Sequence, residues 1–295
     1  MVVYGTGYRP LVHEPVPTVQ RLLALAVLEF RGLFRTRWGV VGFLICCWPM
    51  IVSLVILMAR YGVLQFLPVT QQPRGPLATE RWDPTALAFH LEPIVTQSYT
   101  SFLFLTTLVS ARAIAKDQAA GALEILWTRA ITPWGYFAAK WAGSVFLVGT
   151  LLVGGPLVVW LLAVFMAPDW QLLETTLAFV PMLLLGSLLL VVVLTFVATA
   201  LSALAGTPTF AAILWLGLVL GSWAGTQVLL RVYRGATWLR AASPWSSAKR
   251  LVEWLVAARP QQDFSPAAAA IGLSATVLLL ALLLARRLRT AEAIG

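Results

Sequence analysis

The chain has 295 residues, of which 60% are hydrophobic and only 11% charged, and its mean hydropathy is +0.85. That balance excludes an ordinary water-soluble domain and predicts a polytopic membrane protein. The net charge of +9 sits at the ends of apolar runs rather than on one polar face, which argues against nucleic acid as a partner.

Residues 1–37 read as a cytoplasmic N-terminal segment. Within it, Thr18 to Thr36 are expected to form an amphipathic helix along the inner leaflet. Leu22, Leu23, Ala26, Phe30, Leu33 and Phe34 share one arc, and Arg21, Arg31 and Arg35 lie opposite. A helix needs about 20 mostly apolar residues to cross a bilayer. Six windows meet that need: 38–59, 93–113, 137–167, 173–203, 208–230 and 266–285. The expected fold class is therefore an all-α integral membrane protein with six transmembrane helices over 38–285 and a cytoplasmic tail at 286–295. Basic clusters flank the first and last windows and place both termini in the cytoplasm of a multi-pass inner-membrane protein.

Within the first window, Cys46 and Cys47 are adjacent and read as small lipid-compatible residues. In the second, Gln97, Thr100, Ser101 and Thr107 fall around Phe104 on one helical face. That face either lines a translocation path or hydrogen-bonds a neighbouring helix. Gly154-Gly155-Pro156 predicts a kink in the third window, since proline removes a helix hydrogen bond. In the fifth, Gly217, Gly221 and Gly225 form a stripe without side chains, a packing seam within the subunit or across a dimer.

The loop 231–265 contains Ser243-Pro244, an N-cap followed by a first-turn proline. Leu251 and Leu255 then face one way, and Lys249 and Glu253 another. Residues 243–258 are expected to lie in the outer interface or to re-enter the membrane.

These windows hold essentially no midplane charge, so uphill transport would draw its energy from elsewhere. The chain has no G-x-x-x-x-G-K-[ST] loop for ATP. Its two histidines, His13 and His90, have no candidate serine beside them within a window. No metal site or cofactor is expected in the chain itself.

Residues 114–132 combine charge with amphipathicity. Asp117, Gly121, Glu124 and Thr128 fall on one stripe of a helix, with Ala119, Leu123, Leu126, Trp127 and Ala130 opposite. Thr132-Pro133 is expected to end this helix, because the residue before proline is pushed out of helical geometry. Acids flanking a glycine suit a docking knob for a basic partner.

The run Asp117-Gln-Ala-Ala-Gly121-Ala-Leu-Glu124-Ile-Leu-Trp-Thr-Arg-Ala-Ile-Thr, with Lys140 beyond it, resembles the E-R-x-x-G-T-L-E-x-L-L-x-x-P-[IV]-[ST] … G-K signature of ABC-2 type permeases. Leu28-Glu29-Phe30-Arg31 is similar to the amphipathic start of that family. The copy departs from the signature at Asp117, Ala122, Ala130 and Ala139. The resemblance implies the permease subunit of a bacterial ABC exporter, working with a second copy or a related permease and two ATPase subunits that hold ATP and Mg. It also implies that residues 114–132 are a coupling helix. Asp117, Gly121, Leu123, Glu124, Trp127 and Arg129 would then couple it to the ATPase, with the first, second and fifth spans around the path. Two alternatives come from other classes: a membrane anchor that transports nothing, and an intramembrane enzyme using Glu92 and His90.

Overall fold

The computed structural model describes residues 18–58, 98–122, 132–166, 170–177, 180–233, 236–255 and 264–292. Among them every regular element is helical. Helix α1 (Thr18–Phe34) leads into α2 (Arg37–Met58), and α3 (Ser98–Leu108) is followed by a 3-10 turn at Ser110–Arg112 and a short α4 (Ala115–Ala119). Next come α5 (Pro133–Leu152), α6 (Gly154–Met166), α7 (Gln171–Thr176) and α8 (Val180–Leu204). Helix α9 (Pro208–Leu216) passes through a π-helical turn at Gly217–Gly221 into α10 (Ser222–Val232). A 3-10 turn at Thr237–Ala242, α11 (Pro244–Leu255) and α12 (Pro266–Glu292) complete the order.

Among the described residues four stretches are long and apolar enough to cross a membrane: Pro133–Met166, Val180–Leu204, Pro208–Val232 and Pro266–Arg289. A fifth is added if α1 and α2, bent by 86° between Leu23–Phe34 and Gly39–Val55, count together. The expected second window, 93–113, is described only from Ser98 on. That part holds the helix Ser98–Leu108 and the 3-10 turn Ser110–Arg112; residues 93–97 lie outside the described residues.

Helix starts follow a local rule. Thr132, Thr207, Ser243 and Ser265 each precede a proline. Their hydroxyls accept from the backbone N–H three residues on, at Gly135 (3.1 Å), Phe210 (3.3 Å), Ser246 (3.4 Å) and Ala268 (3.2 Å). The proline presets φ and lacks only a donor that the first turn leaves orphaned. Thr132-Pro133 therefore opens α5, where the sequence reading had it close the preceding helix. The break near Gly154-Gly155-Pro156 falls where expected, between Leu152 and Gly154.

Helix α8 is the centre of the bundle, packing against α5, α11, α12 and the 3-10 turn at 110–112. Its Val191, Leu194, Val197 and Ala198 are fully buried, as are Phe102 and Leu105 of α3, Leu147 of α5, Trp215 of α9 and Leu284 of α12. Lipid tails are as apolar as leucine, so close van der Waals contact holds such helices together rather than escape from water. Glycine permits that contact at two crossings. A Cβ at Gly143 on α5 would sit 3.0 Å from the Ala26 carbonyl oxygen and 3.2 Å from its Cα on α1, and one at Gly272 on α12 would strike the Ala241 carbonyl.

Helix α11 buries polar and apolar side chains alike. Ser246, Ser247, Ala248, Val252 and Glu253 are its buried face, and Trp254 is exposed. Leu251 and Leu255 pack against the core as well, so both sides of the helix meet the bundle, which it joins chiefly at α8 and α12. Phe102 and Trp245 meet with ring centroids 5.9 Å apart, and Ser247 donates to the Ala241 carbonyl at 3.0 Å. The segment is thus folded back against the bundle.

On helix α1 the expected separation of Ala26, Phe30 and Leu33 from Arg31 and Arg35 is present, but Leu23 and Phe34 are exposed. Ala26, Glu29, Phe30 and Leu33 turn toward the bundle, and Leu23, Val27, Arg31 and Arg35 are exposed in one row. The four-residue steps between the last four place them above one another on the helix.

Candidate functional site

The site lies where the chain passes from α3 to α5. After the 3-10 turn, the N–H groups of Ile114 and Ala115 both donate to Ser202 Oγ on α8, each at 3.0 Å. One buried hydroxyl thus satisfies two backbone donors at the start of α4. Gln118 Nε2 donates to the Ala203 carbonyl at 3.1 Å. Helix α4 is thereby fastened to the C-terminal end of α8.

A charged cluster fastens it on the other side. Asp117 Oδ2 accepts from Tyr136 OH at 2.5 Å and pairs with Lys140 Nζ at 2.6 Å, both on α5. Lys140 also pairs with Glu29 Oε1 on α1, and Lys116 Nζ reaches Glu29 Oε2 at 2.9 Å. The Lys140 ammonium further lies 5.6 Å from the centroid of the Tyr136 ring, within cation–π range.

Exposure separates the members. Glu29 and Lys140 side chains are each 6% exposed, Asp117 21% and Lys116 46%. Two carboxylates meet two ammonium groups, so the cluster is neutral as a whole. Its desolvation is offset only while every member is present; removing one partner of a buried pair costs about 3–5 kcal/mol. Lys140 is the hub because it neutralises one carboxylate on α1 and another on α4.

Helix α4 ends sooner than the sequence suggested. Gly121 has φ +67°, a left-handed conformation that no α-helix continues through and that glycine adopts without steric cost. The expected unbroken helix over 114–132 is therefore interrupted at Gly121. Leu123, Glu124, Trp127 and Arg129 lie outside the described residues.

The remaining candidates scatter. Gln97 lies outside the described residues, and Thr100 lies on α3. The Ser101 carbonyl accepts from Cys46 Sγ at 3.3 Å, Thr107 Oγ1 donates to Leu103 O within its own helix at 2.6 Å, and Phe104 and Leu108 approach Gly42 of α2. This face of α3 is in part a contact with α2. Gly217, Gly221 and Gly225 are exposed, and a Cβ on any of them would meet nothing within 4 Å; among the described residues no helix packs along that stripe. The thiols of Cys46 and Cys47 are free. Among the described residues no three His, Cys, Asp or Glu side chains converge as a metal site would require.

The sequence reading missed Glu29, Lys116, Tyr136 and Ser202 as parts of the site. One signal was available for Glu29: it is the acid four residues from both Leu25 and Leu33 on the inward face of α1. Fold and site together define an all-helical protein with membrane-type helices and an ion-paired junction at one end of the bundle. The chain matches no protein-family model and no curated protein.

Proposed function

We propose that the chain is the membrane-spanning permease subunit of an ATP-driven exporter, with six crossings, both termini cytoplasmic, and separate ATPase subunits that bind residues following Gly121. The observation that carries this reading is the anchoring of α4 to three different helices through Ser202, Glu29 and Lys140. A loop that only joined two crossings would need no such attachment. One that receives a push from a soluble motor must be rigidly joined to the helices it moves, because differential contact between two states is what transmits a conformational change. The self-neutral cluster does this without leaving a buried charge unpaired. In this scheme Asp117 serves the junction, and contact with the ATPase falls to 121–131.

The test is to purify the full chain from its native membrane in mild detergent. A Walker-loop ATPase should co-purify, and Glu124→Arg should uncouple its hydrolysis from the permease or release it. Absence of any such ATPase, or hydrolysis and assembly both unchanged by Glu124→Arg, sinks the reading.

A further inference from the structure

Among the described side chains, one end of the bundle is strongly basic. Arg31 and Arg35 on α1, Arg37 at the start of α2, Arg112 in the 3-10 turn, and Arg286 and Arg289 on α12 are all exposed. They share that end because Glu29 of α1 holds Lys116, because α4 is fastened to the end of α8, and because Arg287 of α12 donates to the Leu204 carbonyl there at 3.1 Å. The two carboxylates described beside them, Glu29 and Asp117, are consumed by Lys116 and Lys140. The arginines are therefore left as a net positive surface.

Their setting decides what meets that surface. Along the exposed row of α1, Leu23 and Val27 are followed by Arg31 and Arg35, and Leu28 is also 56% exposed. The 86° bend lays α1 across the direction of α2, the apolar helix that follows it. A helix in that attitude, apolar along one part of its free face and basic along the next, matches a bilayer interface better than the surface of a water-soluble protein. We propose that this face binds the phosphate headgroups of anionic lipids, with Leu23, Val27 and Leu28 set among acyl chains and Arg31, Arg35 and Arg37 on the headgroups. The inference does not depend on the transporter reading.

The full-length chain in detergent is incubated with equal amounts of phosphatidylglycerol and phosphatidylcholine, and the retained lipids are counted by native mass spectrometry. Phosphatidylglycerol should be retained in preference. The preference should fall about fivefold per arginine removed in Arg31→Gln/Arg35→Gln/Arg37→Gln and should survive the corresponding lysine substitutions. Thermal unfolding checks that the variants are folded, and Arg286→Gln/Arg289→Gln gives an independent reading at the other helix. Equal retention of the two lipids, or an unchanged preference in both glutamine variants, overturns the proposal. Displacement of the lipid by inorganic phosphate alone would assign a free-anion site instead. Loss of a co-purifying acidic protein with lipid preference intact would assign the arginines to a protein partner.

Discussion

Lys140 is the residue on which the junction turns. Lys140→Met removes the one cation shared by Glu29 and Asp117 and should lower stability by about 3–5 kcal/mol, read as a fall in the unfolding temperature of the detergent-solubilised chain. Adding Asp117→Asn removes a carboxylate that would otherwise stay poorly paired, so the double variant should recover part of the loss. A double variant no better than Lys140→Met would show that Asp117 and Lys140 do not act as one unit. At Gly121 the argument is conformational rather than electrostatic. A Cβ there meets no neighbour, so Gly121→Ala should cost only the left-handed penalty of about 1–2 kcal/mol. Gly121→Asn should cost less, since asparagine visits that region more readily; equal losses from both would refute it.

Between elements, glycine has two opposite roles. Gly143→Ala must push α1 from α5, because what it meets is the Ala26 backbone and not the end of a flexible side chain. Hydrogen exchange over residues 18–34 should rise in that variant. Gly221→Ala meets nothing among the described residues and should leave the unfolding temperature of the monomer unchanged; a large drop would mean that the stripe packs within the subunit after all. The sequence predicted helix starts well where chemistry is local, as at Ser243-Pro244, because a hydroxyl, a proline and one turn of backbone suffice. It failed where a decision depends on the far side of the contact. The 3.6-residue period separates Lys249 and Glu253 from Leu251 and Leu255 on α11, but it does not say that both sides find partners on the bundle, with Glu253 buried and Leu251 and Leu255 packed against the core. Gly121 was placed inside a helix as part of a docking knob, whereas its positive φ interrupts that helix. The pairing of Glu29 with Lys140 was illegible because 111 residues separate them.

For the whole molecule, length constrains placement. Pro133–Met166 has 34 residues, about 51 Å of helix against a hydrocarbon core of about 30 Å. Some 20 Å of it must project or tilt, and the charges at Lys140 require that the projecting part be the α5 start. With Cys46 and Cys47 replaced by serine, Ala138→Cys should react with a membrane-impermeant thiol reagent from one side, whereas Val158→Cys should stay unlabelled. Both positions are exposed on the isolated chain, so protection at Val158 would report lipid. Equal labelling of the two would place the membrane elsewhere. Positions this simple were recoverable from hydropathy, and the four long apolar stretches fall within or across the expected windows. The bend between α1 and α2 and the ionic junction were not, since neither leaves a periodic trace.

The junction also sets an order of events during synthesis. Glu29 leaves the ribosome early, but Lys116 and Lys140 follow 87 and 111 residues later. At translation rates of about 5–20 residues per second, the carboxylate waits roughly 5–20 s for its last partner. Until then the nascent N-terminal helix must keep that carboxylate hydrated at the membrane surface, and it can seat itself only after the start of α5 has been made.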